Sequence, residues 1–251
     1  MNDSVPALEA RQLSKSFGGF QVVRDVNLAL EKGARRALIG PNGAGKTTLI
    51  NLLAGRLKPD SGSIAMAGVA VTQLGEAARA RAGLGRTFQI NSLFRNLTVF
   101  ENIYLAVSEH LGGARHITRP ALAEAEAVRR TERVIADLGL HGAALVQQLP
   151  YGDQRLVEIA IALALEPKVL LLDEPAAGVP QGESRLILDL VAALPAEIAV
   201  LLIDHDMDVV FRFARRITVL AQGSILADGQ PEEIARHARV REVYLGKRLD
   251  V

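Results

Sequence analysis

Residues Gly40-Pro41-Asn42-Gly43-Ala44-Gly45-Lys46-Thr47 spell G-x-x-x-x-G-K-T. They follow an apolar segment, Ala37–Ile39, that reads as a strand, and they lead into Lys46 to about Leu53, which reads as a helix. In that setting the glycines let backbone N–H groups turn inward around a polyphosphate, and the helix N-terminus adds partial positive charge. Lys46 can reach the β- and γ-phosphates, and the Thr47 hydroxyl is placed to ligate Mg²⁺. Gly40, Asn42, Gly43, Gly45, Lys46, Thr47 and Thr48 are therefore the candidate nucleotide-binding residues of this segment.

A phosphate cradle needs a partner that handles metal and water. Val169-Leu170-Leu171-Leu172-Asp173-Glu174 reads as a buried strand ending in two carboxylates. Side chains alternate along a strand, so Asp173 can hold Mg²⁺ through its water shell while Glu174 faces the other way and polarises the attacking water. Phosphoryl transfer from a nucleoside triphosphate follows from these two segments. No N/T-K-x-D base-reading motif occurs, which argues against a guanine-specific enzyme.

The rest of the 251-residue chain fits an α/β protein. Charge is balanced, 29 Lys+Arg against 28 Asp+Glu, which excludes a strongly basic nucleic-acid binder. The longest apolar run, Ile159–Leu165, is far short of the ~20 residues that cross a bilayer, and the amino terminus carries no signal pattern, so the chain is expected to stay in the cytosol. The absence of cysteine removes disulfides, thiolate catalysis and Cys-based metal sites, and the five histidines are scattered. Short alternating segments fill Ala7 to Leu30. From Thr98 to about Leu165 the pattern is almost wholly helical, with a capping box at Thr98-Val99-Phe100-Glu101 and a helix expected over Ala121–Leu138. A strand over Ile198–Ile203 and helices over Gly182–Ala193 and from about Met207 restore the strand–helix alternation. A hairpin over Ile217–Ala227 and two short helices over Pro231–Leu245 complete the chain.

Leu149-Pro150-Tyr151-Gly152-Asp153-Gln154, placed before an expected helix Arg155–Leu165, resembles the LSGGQ signature of ATP-binding cassette (ABC) ATPases. The strings RTFQ (Arg86–Gln89), LTVFENI (Leu97–Ile103), YGDQRLVEIA (Tyr151–Ala160), LLLDEPAAG (Leu170–Gly178), LIDHDM (Leu202–Met207) and VYLG (Val243–Gly246) resemble the ATPase subunits of bacterial branched-chain amino-acid importers. The resemblance implies a P-loop NTPase core with an N-terminal antiparallel β subdomain, residues 1–96 and 166–251, and an inserted α-helical subdomain, residues 97–165. It further implies that Phe17 stacks on adenine, that Gln89 senses Mg²⁺ or the attacking water, and that His205 contacts the γ-phosphate. Gly152 and Asp153 would complete the ATP site of a second subunit, in a homodimer or in a heterodimer with another ABC ATPase. The partners implied are transmembrane permease subunits and, indirectly, a solute-binding protein, at the cytoplasmic face of the inner membrane. Related urea or amide importers and lipopolysaccharide or lipid exporters share these motifs. A soluble, non-transport ABC ATPase working in assembly or on nucleic acid is the weaker alternative, since DNA-acting relatives carry long coiled coils or zinc hooks and this chain has neither a sustained heptad run nor any Cys. Three positions depart from the pattern: Pro150 replaces the signature serine, Tyr151 its first glycine, and Pro180 the polar residue of the loop after Glu174. Ile90–Phe94, after Gln89, is expected to offer apolar residues to a membrane partner unless Leu93 and Phe94 belong to the core.

Overall fold

The computed structural model describes residues 5–87, 93–112, 125–175, 177–179 and 181–243. Gln89, Ile90, Pro180, residues 121–124 of the expected helix and the tail beyond Val243 lie outside them.

Two compact units divide the chain. One takes residues 1–84, 168–174 and 195–251, the other 85–167 and 175–194, so the second is wider than the expected 97–165 and includes the segment after Glu174. In the first unit, the alternating N-terminal segments form a hairpin, β1 (Leu8–Phe17) and β2 (Phe20–Leu30), closed through Gly18-Gly19 with Phe17 opposite Phe20. The strands β4 (Ser61–Met66) and β5 (Val69–Ala70) complete an antiparallel sheet of order β2-β1-β4-β5.

The second sheet carries the apolar runs. It contains β3 (Arg35–Ile39), β6 (Leu84–Arg86), β7 (Val169–Asp173), β8 (Ala199–Ile203), β9 (Arg216–Ala221) and β10 (Ser224–Gly229), in the order β10-β9-β3-β8-β7-β6. Every residue of β3, β7 and β8 is buried, as expected of parallel strands covered on both faces. Even the two arginines of β3 find partners inside. Arg35 donates to the carbonyl of Ile198 at 2.6 Å, and Arg36 donates to Thr218 at 2.9 Å and pairs with Asp228. Because β3 and β7 both lie beside β8 in parallel, the chain leaves Ile39, Asp173 and Ile203 at one sheet edge, where open α/β sheets bind ligands.

Helix α1 (Lys46–Ala54) follows the glycine-rich loop, and its far end is clamped. Arg79, fully buried in α2 (Glu76–Arg81), donates to the carbonyls of Leu52 and Leu53, both at 2.7 Å, and to those of Leu74 and Thr72, both at 3.0 Å. A cation on the orphan carbonyls of a C-terminus stabilises both the hydrogen bonds and the dipole. Burial lowers the Arg79 pKa to about 10, which leaves it charged at neutral pH. The unit ends in α7 (Met207–Phe213), α8 (Pro231–Arg236) and α9 (Ala238–Val243).

The second unit is helical: α3 (Val99–His110), α4 (Ala125–Asp137), α5 (Tyr151–Ala164) and α6 (Gln181–Ala192). Val99, Ile103, Val107, Ala127, Val157 and Ala160 form its core. The capping box is formed: Glu101 N–H donates to the Thr98 hydroxyl at 3.1 Å, and Thr98 N–H donates to the Glu101 carboxylate at 2.7 Å. These hydrogen bonds hold the Glu101 carboxyl below its ordinary pKa. Thr98→Ala is expected to lower Tm by about 2–4 °C, the equivalent of about 1 kcal/mol in a chain of this size. A carboxylate with a depressed folded pKa contributes stability above its unfolded pKa, and loses it as pH falls through the folded value. The gap between Thr98→Ala and the parent should therefore narrow below the usual glutamate range, as thermal unfolding in acid will show.

Candidate active site

The glycine-rich loop is wedged against two neighbouring segments. A Cβ on Gly40 would stand 2.2 Å from the carbonyl oxygen of Leu220. Gly45 adopts φ 101°, and a Cβ there would stand 2.6 Å from the carbonyl oxygen of Val22. Neither position tolerates a side chain. The Ala44 carbonyl accepts from Gly223 N–H at 3.0 Å, so the β9–β10 turn holds the loop from below. Asn42 and Gly43 are exposed at its crown, Thr47 is exposed on the first turn of α1, and Thr48 is half-buried. No side chain caps α1 and no acidic residue lies in its first turn, so its leading N–H groups remain available to an anion.

Lys46 Nζ donates to the carbonyls of Gly40 at 2.6 Å and Pro41 at 3.1 Å, folded over the loop it would share with a phosphate. Burial lowers its pKa, while the negative charges of Glu174 and Asp173 raise it. The two carboxylates therefore share the electrostatic environment of Lys46. Asp173 is buried at the end of β7. Glu174 has left the strand: its φ is +47°, and its N–H donates to the carbonyl of Ile203 at 2.8 Å. A left-handed backbone costs a non-glycine residue about 1–2 kcal/mol and persists where surrounding structure enforces it. His205, just past β8, places Nδ1 at 3.2 Å from Glu174 Oε1. That contact calls for the proton on Nδ1 and leaves Nε2 for a ligand.

The donor set suits a hard cation. Thr47 offers a hydroxyl and Asp173 a carboxylate, both oxygen ligands of the kind Mg²⁺ takes. Among the described residues no cluster of three or more His, Cys, Asp or Glu could hold a metal, so a cation here would need phosphate oxygens as well. Phe17 ends β1 half-exposed, with the Lys15 ammonium 5.6 Å from its ring centre, which leaves area for a stacked ring.

The signature segment corrects its sequence reading. The helix begins at Tyr151, four residues before the expected Arg155, with Pro150 as its N-cap. The Pro150 carbonyl accepts from Gln154 N–H at 3.1 Å, and the Gln154 amide returns to the Leu149 carbonyl at 2.9 Å. Gly152 and Asp153 thus sit inside the first turn, Gly152 buried and Asp153 half-buried. Within the first turn of a helix a glycine is tolerated once its neighbours make the hydrogen bonds. Tyr151 is half-exposed, with the Arg155 guanidinium 5.1 Å from its ring centre. Of the apolar pair after Gln89, Leu93 is buried in the helical core and Phe94 is 61% exposed.

Sequence reasoning missed Asp204 and Asp206. Their flanking of His205 at alternate positions was the available signal, since an aspartate side chain commonly accepts from the backbone two residues on. It also missed the supports under the loop at Val22, Leu220 and Gly223, which no motif marks.

The sequence profile described as ABC transporter matches residues 23–177, and one described as branched-chain amino acid ATP-binding cassette transporter matches residues 224–250. The chain is 40% identical to the high-affinity branched-chain amino acid transport ATP-binding protein LivG of Salmonella typhimurium, over 97% of this chain and 99% of that one. It is 37% identical to the lipopolysaccharide export system ATP-binding protein LptB of Acidithiobacillus ferridurans, over 97% and 98%. A crystal structure of an ATP-binding cassette of an ABC transporter in its ADP conformation superposes with a TM-score of 0.85 at 30% identity, covering 96% of this chain and 99% of the other. With a glycine-rich loop, an Asp-Glu strand end and a histidine on one sheet edge, and with matches over nearly its whole length, the chain belongs to the ABC transporter family as an ATP-binding cassette.

Proposed function

We propose that the chain hydrolyses ATP to power a membrane importer of branched-chain or other hydrophobic amino acids. The observation that carries the hydrolytic part is the 3.2 Å contact of Glu174 with His205, beside the loop that holds Lys46. Lys46 and the N–H groups of α1 bind and orient the β- and γ-phosphates. Glu174 takes the proton of the attacking water, which displaces ADP from the γ-phosphoryl group and yields phosphate. His205 holds Glu174 in place and offers Nε2 to the γ-phosphate. Thr47 and Asp173 would hold Mg²⁺, which would supply positive charge to the phosphate oxygens. Gln89 is assigned to sensing that cation or the water, and Phe17 to stacking on adenine.

The transport reading rests on the likeness to LivG and on the C-terminal match at residues 224–250. That match favours amino-acid import over the export role in which LptB is named, and over urea or amide uptake. No helix among the described residues is long and apolar enough to cross a membrane, so separate permease subunits would supply the channel. The chain would sit peripherally at the cytoplasmic face, paired with a copy of itself or a second ABC ATPase through Gly152 and Asp153. A solute-binding protein would belong to the same system without touching this chain.

Phe94 provides the test. Its N–H donates to Asn102 Oδ1 at 2.8 Å and its carbonyl accepts from Asn102 Nδ2 at 3.1 Å, so a buried asparagine fixes the backbone while the ring faces outward. Phe94→Asp is expected to leave the ATPase rate of the isolated subunit intact and to abolish its stimulation by co-purified permease subunits, together with uptake. Normal stimulation would place the docking surface elsewhere.

A further inference from the structure

His205 meets Glu174 with a side chain that is 70% exposed. An exposed ring has little packing to aim it, so the direction in which its backbone leaves the strand decides where it points. That direction is set by the preceding residue. Asp204 is 4% exposed, and its Oδ1 accepts from the N–H groups of His205 at 2.8 Å and Asp206 at 3.0 Å. Asp206 then caps α7, accepting from Asp208 N–H at 2.9 Å. His205 is thereby held between two aspartate-capped turns. Its opposite number is fixed from the same strand end, because the carbonyl of Ile203 accepts from Glu174 N–H at 2.8 Å. Consecutive residues, Ile203 and Asp204, thus anchor the two partners of the contact.

We infer that Asp204 is a positioning residue for hydrolysis: its carboxylate oxygen, by gathering the His205 and Asp206 amides, aims the His205 ring at Glu174. This rests on the reading in which His205 and Glu174 serve turnover. A carboxylate so deeply buried is costly to keep where an apolar residue would fill the space, and an acceptor for two backbone donors is the reason the position offers. Asparagine can supply the same acceptor; alanine cannot.

The test is a double-mutant cycle on the full chain, with kcat and KM for ATP, labelled-ATP binding and Tm measured for Asp204→Ala, Asp204→Asn, His205→Ala and Asp204→Ala/His205→Ala. We expect Asp204→Ala to lower kcat about 10- to 100-fold with KM within about twofold, the scale of a misaimed catalytic group. Asp204→Asn should recover most of that loss. In the His205→Ala background, Asp204→Ala should cost nothing further, because the group it aims is gone. Additive losses, or an asparagine variant as impaired as the alanine one, would overturn the inference. Full turnover in His205→Ala would remove the His205 reading itself, whereas an impaired His205→Ala beside a normal Asp204→Ala removes only the role of Asp204. If Asp204→Ala fails to fold, Asp204→Val, which fills more of the space and still lacks an acceptor, replaces it in the cycle.

Discussion

Glu174→Gln is expected to bind Mg·ATP as the parent does and to lose hydrolysis by a factor of about 10²–10⁴. The amide keeps the shape of the side chain and can still meet His205, but it cannot accept the proton of the attacking water. Lys46, the α1 amides and Asp173 are untouched, so the nucleotide should stay bound. The left-handed backbone of Glu174 makes this substitution cleaner than most, since glutamine inherits the same strain and the same hydrogen bond to Ile203. Single-turnover hydrolysis beside labelled-nucleotide binding separates the two effects. Turnover near that of the parent would assign the base to another group.

Lys46→Ala should act on binding itself. The ammonium now rests on the carbonyls of Gly40 and Pro41, while Leu220, Val22 and Gly223 hold the loop independently of it, so the loop should remain folded and Tm nearly unchanged. What disappears is a charge-assisted contact to phosphate, about 1.5–3 kcal/mol, or roughly 10- to 100-fold in the affinity for ATP. Titration calorimetry with Mg·ATP measures this, and an unchanged Kd would detach Lys46 from the nucleotide.

Much of this site could be read in the amino-acid order because its chemistry is local. The octet Gly40–Thr47, the Asp173-Glu174 pair and the Thr98–Glu101 cap each declare themselves within eight residues, and only Glu174 departs from its expected element, leaving β7 in a left-handed turn where strand alternation was expected to aim it. Strands β3, β7 and β8 were legible for a related reason: burial on both faces writes an uninterrupted apolar run. The start of α5 was not, because Pro150 and Gly152 have low helix propensity and only the Gln154 hydrogen bonds show the helix beginning at Tyr151. The fates of Leu93 and Phe94 were likewise hidden, since two adjacent apolar residues carry no period and only the bracket from Asn102 decides which one turns outward. Arg79 was invisible for a third reason: an arginine among Ala and Glu looks like a solvated helix face, and the carbonyls that justify burying it lie more than 25 residues away on α1.

The wedging of the loop by Leu220, Val22 and Gly223 sets a limit on dissection. A peptide comprising residues 35–54 would carry the whole motif, strand, loop and helix, yet would lack the walls that press Gly40 and Gly45 into shape. Chain shortened from its carboxyl end past the β9–β10 turn would lose the Gly223 support although no motif residue is removed. The smallest piece able to hold a nucleotide in this way therefore spans at least Val22 to Gly223, and minimised or permuted versions of the cassette must keep both ends of that span.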